Sequence, residues 1–93
     1  IRDCPKFIVS DNMIYYNQWI GLWISGALTG MGVVSGNVAG NVSGTNQNYG
    51  ITCHTDVADT ARIVCSDNAV IGNSTGQITD TNARMTLSDN LVA

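Results

Sequence analysis

Three aspartates recur with the same neighbours: Asp11 in Ser10-Asp11-Asn12, Asp67 in Ser66-Asp67-Asn68 and Asp89 in Ser88-Asp89-Asn90. A row of carboxylates could serve acid–base work or hold calcium. Glycoside hydrolysis in particular needs two, one as acid and one as base or nucleophile. The matching place in Ser35-Gly36-Asn37, however, is glycine. A catalytic row tolerates that poorly. A tight turn accepts it, because Gly supplies the backbone freedom and Asp bonds its own local backbone. The row therefore reads as a bend.

His54 and Asp56, with Asp59 close by, share the longest variable stretch, and Arg62 follows it directly. A His beside carboxylates can transfer a proton or hold a metal. One His in a chain without Glu is thin support for either role, and a solvated loop is the simpler reading. The charged patch of His54, Asp56, Asp59 and Arg62, extending to Arg84, is nevertheless the best polar site the chain offers. No G-x-S-x-G, H-E-x-x-H, G-x-x-x-x-G-K or C-x-x-C occurs. No cofactor or metal is expected. Cys4, Cys53 and Cys65 cannot all pair within one chain, and Cys65 occupies an apolar slot, so it reads as a small buried hydrophobe.

Tyr15, Tyr16, Trp19 and Trp23 fall together near the start, and Tyr49 lies further on. Flat aromatic faces with a polar edge suit sugar rings and subunit interfaces alike. Alternation across residues 19–24 puts Ile20, Leu22 and Ile24 on one face and both Trp on the other. With the aliphatic face inward, the Trp pair points outward and marks a contact surface.

The elements that must position these side chains are written in a repeat. Aligned on Ser10, Ser35, Ser66 and Ser88, which lie 25, 31 and 22 residues apart, the chain shows four copies of one unit. One residue before Ser stand Val9, Val34, Cys65 and Leu87, and three before stand Phe7, Gly32, Ile63 and Met85. Four before stand Lys6, Met31, Arg62 and Arg84. This period of two belongs to a strand with one buried face. The column two before Ser (Ile8, Val33, Val64 and Thr86) should then face outward, and its apolar character implies a cover, either another chain or a long loop.

The repeated Asn two after Ser is expected to follow a tight bend; it tolerates left-handed geometry and can hydrogen-bond to its equivalents in a ladder. A second short apolar strand follows at Met13, Val38, Ala69 and Leu91, then a second Asn at Asn17, Asn41 and Asn73. A third stretch opens on Gly21, Gly50 and Gly76. Residues 25–30, 54–61 and 80–83 vary in length and read as loops. Three strands per turn make a parallel solenoid.

Composition bounds the rest. Ninety-three residues make a single domain, 1–93, and the scarcity of helix formers against ten Gly and ten Asn predicts strands and turns. A net charge of −3 without a basic cluster argues against nucleic acid. The apolar run from Met13 to Val34 is broken by polar residues and glycines, which argues against membrane insertion. The missing initial Met and the stop in mid-repeat suggest a processed product or a piece of a longer chain.

The pattern apolar-x-Ser-Asp-Asn-x-Ile-x-x-Asn, followed later by Gly-Ile, resembles the repeat of the pectate-lyase-like right-handed parallel β-helices, and it covers Lys6 to Val92. The resemblance implies an all-β solenoid of about three to four coils. Within that superfamily, low charge, abundant Asn, Gly, Ser and Thr, and free cysteines are most similar to bacteriophage tailspikes. This implies a side-by-side homotrimer on a virion, folded in the bacterial cytoplasm, that binds and often cleaves host surface polysaccharide. Fold alone does not determine function. The competing expectations are a catalytic lyase or hydrolase module, in which this segment alone would lack a full active site, and a structural solenoid of a bacterial surface adhesin. The partners are then other copies or the rest of the parent protein, and the glycan.

Overall fold

The computed structural model describes residues 1–40 and 47–93. Strand β1 (Lys6–Ser10), β2 (Met13–Ile14) and β3 (Ile20–Ile24) are followed by equivalents β4 (Met31–Ser35), β5 (Val38–Gly40) and β6 (Tyr49–Cys53). The same order returns in β7 (Arg62–Ser66), β8 (Ala69–Ile71) and β9 (Gly76–Asp80), and then in β10 (Met85–Ser88) and β11 (Leu91–Val92). All pairings are parallel, in three sheets ordered β1-β4-β7-β10, β2-β5-β8-β11 and β3-β6-β9. Among the described residues no helix forms. This all-β arrangement, 37 × 22 × 18 Å, is compatible with a parallel β-helix.

The register of the first sheet agrees with the columns read on the serines. Phe7, Gly32, Ile63 and Met85 align, as do Val9, Val34, Cys65 and Leu87. Val34, Cys65 and Ile63 are buried, while Ile8, Val33, Val64 and Thr86 face outward and are exposed. Leu87 departs from its column. It is 49% exposed because, among the described residues, no strand lies beyond β10 to cover it.

The turn after each serine corrects one expectation. The left-handed residue is the one before the asparagine: Asp11, Gly36, Asp67 and Asp89 have φ of 57, 68, 56 and 54°. This leaves each asparagine free to bond along the stack. Asn12 N and Nδ2 both donate to Asn37 Oδ1 at 3.0 Å, and Asn37 N and Nδ2 donate to Asn68 Oδ1 at 3.0 Å. Asn68 does the same to Asn90 Oδ1 at 3.1 and 3.0 Å. Each Nδ2 also reaches back to a backbone carbonyl, that of Val9 from Asn37, Val34 from Asn68 and Cys65 from Asn90. Asn37 and Asn68 are buried, so this full pairing is required rather than optional.

A second polar ladder joins Asn17 Nδ2 to Gln47 Oε1 (3.0 Å), Gln47 Nε2 to Asn73 Oδ1 (2.8 Å) and Asn73 Nδ2 to Gln77 Oε1 (2.7 Å). Gln47 is the residue stacked between Asn17 and Asn73; Asn41, expected there from the repeat, lies outside the described residues.

The third sheet corrects a register. Gly76 pairs with Tyr49, not Gly50, so that Leu22, Ile51 and Ile78 align. Aligning the glycines would turn Gln77 inward and Ile78 outward, since a one-residue slip exchanges the faces of a strand. The core column therefore sets the pairing.

A candidate binding groove

Trp19 precedes β3 and Trp23 lies within it. The alternation that buries Leu22 and Ile24 leaves the two indoles 68% and 47% exposed. Parallel pairing of β3 with β6 brings Thr52 beside Trp23 and Tyr49 beside Ile20. His54 follows β6 directly, and its backbone N–H donates to the Ile24 carbonyl at 2.8 Å. Trp19, Ile20, Trp23, Tyr49, Thr52 and His54 consequently line one open groove of about 410 Å³. Trp23 and the His54 ring stand 5.5 Å apart, tilted by 46°.

One end of the groove is polar. His54 Nδ1 lies 2.9 Å from Asp56 Oδ1, and the same carboxylate oxygen accepts the Gly26 amide at 2.9 Å. The Asp56 backbone nitrogen also approaches Nδ1, at 3.2 Å. A lone pair on Nδ1 would repel the carboxylate at the shorter distance, so Nδ1 carries a proton toward Asp56 and Nε2 points away from that contact. The Gly26 N–H and the His54 side chain hold the Asp56 carboxyl below the ordinary carboxylate range. Thr52 Oγ1, out of solvent, has no hydrogen-bond partner among the described residues.

The other nominated residues are placed differently. Arg62 Nη1 donates to the carbonyls of Asp59 and Ala61 at 3.0 and 2.8 Å, so Asp59 meets it through its backbone. Arg84 donates to the carbonyls of Val57 (3.1 Å) and Asn82 (2.8 Å). Both arginines thus brace loops. Tyr15 and Tyr16, edge to face at 5.1 Å and 63°, border a separate apolar groove of about 280 Å³ with Met13, Val38 and Ile71. Ile20, expected on the inward face with Leu22 and Ile24, is half-buried at the start of its strand and lines the groove instead, and Thr52 joins it. The strand pairing that adds them is readable only once the third sheet's register is known.

Cys53 and Cys65 are buried and free, and burial pushes both thiols up to about 11. Among the described residues no group of His, Cys, Asp or Glu is arranged to hold a metal ion, and no helix is long and apolar enough to cross a membrane. Comparisons with protein-family models, with curated proteins and with solved structures each find no match.

Proposed function

We propose that this chain is a right-handed parallel β-helical segment of a phage tailspike, about three to four coils long, which attaches to host surface polysaccharide and assembles as a side-by-side homotrimer. The observation that carries the glycan reading is the groove, where two exposed indoles and Tyr49 lie with a hydrogen-bonding edge at His54. Aromatic faces stack on the apolar faces of sugar rings, and a few polar atoms fix their orientation. The trimer reading rests on the exposed apolar column Ile8, Val33 and Val64.

Titration of the isotope-labelled chain with oligosaccharides from bacterial capsule and lipopolysaccharide tests the proposal. Chemical-shift changes are expected at both Trp indoles and at His54, and Trp19→Ala with Trp23→Ala should abolish them. Titration without any shift at the groove would refute glycan attachment there.

A second reading, a catalytic polysaccharide lyase or hydrolase module, draws on the His54–Asp56 contact, which orients a ring nitrogen toward use as a base. New reducing or unsaturated ends after incubation with the same glycans would distinguish cleavage from binding.

A further inference from the structure

The exposed sheet β1-β4-β7-β10 carries two rows of charge at opposite ends of its strands. Lys6 and Arg62 align in one column with Met31 between them, and Arg84 precedes Met85 in the same place. Asp11, Gly36, Asp67 and Asp89 form the other row, one residue past the aligned serines. The gaps coincide. The strand that carries Met31 in place of a cation carries Gly36 in place of an aspartate, so along the stack both rows read charged, neutral, charged, charged.

Neither row forms an ion pair among the described residues, although the Arg62 and Arg84 side chains also donate to loop carbonyls. The ion pairs among the described residues are Arg2 with Asp3 and His54 with Asp56, and residues 41–46 carry no charge. The two rows are separated by roughly 16 Å of strand, too far to meet. Between them runs the exposed stripe of Ile8, Val33 and Val64, and a shallow trough of about 760 Å³ opens over Met31 and Gly32.

Resting on the self-association reading above, we infer that this face is a seam between parallel copies of the chain, with the Lys6, Arg62 and Arg84 row of one copy beside the Asp11, Asp67 and Asp89 row of the next. A rotation axis parallel to the stack brings opposite rows together and matches neutral level to neutral level. Reversing one copy instead sets Arg62 against Gly36 and Met31 against Asp67, or sets like charges face to face. The apolar stripe supplies attraction and the rows supply orientation, because exposed ion pairs contribute little energy but discriminate strongly between arrangements. Four strands of this sheet bury roughly 300 Å² per copy, short of the ~800 Å² per partner of stable complexes, so the chain alone associates weakly.

Sedimentation velocity of the whole chain at high protein concentration tests the seam. Association should weaken about tenfold between low salt and ~0.5 M salt. It should weaken similarly in Asp67→Asn/Asp89→Asn, and by a smaller factor in Lys6→Glu, which spares the loop-bracing arginines, with circular dichroism unchanged. Ile8→Asp, which spares both rows, should abolish it. In a Cys4→Ser background, oxidising a mixture of Lys6→Cys and Ser10→Cys chains should give mainly the mixed disulfide. Association indifferent to salt, or mainly Lys6→Cys homodimers, would overturn the seam and leave self-association standing. A monomer under every condition would overturn both.

Discussion

Asn68 Oδ1 accepts two hydrogen bonds from Asn37, one from its backbone nitrogen and one from its side chain, both 3.0 Å long and both out of contact with water. Truncation at Asn68 would orphan those donors and the Val34 carbonyl that Asn68 Nδ2 serves. With each buried orphan costing about 1–3 kcal/mol, Asn68→Ala should lower stability by about 3 kcal/mol in urea unfolding. Asn12→Ala, at the exposed end of the ladder, should cost about 1 kcal/mol. Equal losses at the two sites would contradict a ladder whose strength comes from burial.

Gly40 tests the backbone in the same way. Its φ is +155°, and a Cβ there would collide with the carbonyl oxygen of Ile71 on the neighbouring strand. Gly40→Ala should therefore cost at least about 2 kcal/mol, since neither the dihedral nor the strand spacing can adjust cheaply. Gly76→Ala, where the nearest atoms are side chains at 3.0 Å and beyond, should be tolerated far better in the same unfolding measurement.

Acid should loosen the link between the loops. The Asp56 carboxyl is held below its ordinary value chiefly by the Gly26 amide, so its contribution is complete above the unfolded carboxylate range. It is lost as pH falls through the lower folded value. The Gly26 amide resonance should titrate with Asp56, below the usual range for a carboxylate, and its hydrogen exchange should quicken in Asp56→Asn.

Base should act through the thiols. Cys53 and Cys65 have folded values of about 11 against an ordinary 9.0. A group that keeps its proton longer when folded opposes unfolding only while the unfolded chain also keeps it. Stability should thus be full below about pH 9 and decline as pH rises toward 11. Iodoacetamide should modify the partly exposed Cys4 first and reach the buried pair only on unfolding. Rapid labelling of Cys65 in the native chain would show that its column is not closed.

Much of the first sheet could be read from the residues, because four copies of Ser followed two places later by Asn fix its register and alternation separates Val34 from Val33. The turn was harder. Asp and Asn both suit bends, and only the backbone shows that the aspartates take the left-handed place while the asparagines bond along the stack. The third sheet misled through its glycines, since Gly76 has the type but not the place of Gly50, and the column Leu22, Ile51 and Ile78 decides the pairing. Of the nominated residues, Trp19, Trp23, Tyr49 and His54 converge because two adjacent strands carry them. Tyr15 and Tyr16 separate because the second sheet presents a different side of the molecule. Composition carried no trace of the Gly26–Asp56 bond, which joins loops thirty residues apart.

The division between repeated turns and loops of unequal length has a consequence for where the chain can vary. Residues 25–30, 54–61 and 81–84 differ in length, and although Thr29, Val57 and Ala61 within them are buried, positions such as Leu28, Thr60 and Thr81 face solvent, away from the serine and asparagine columns that hold the strands. Insertion at those exposed positions should alter the surface while leaving the stacked columns, and hence the folding problem, unchanged.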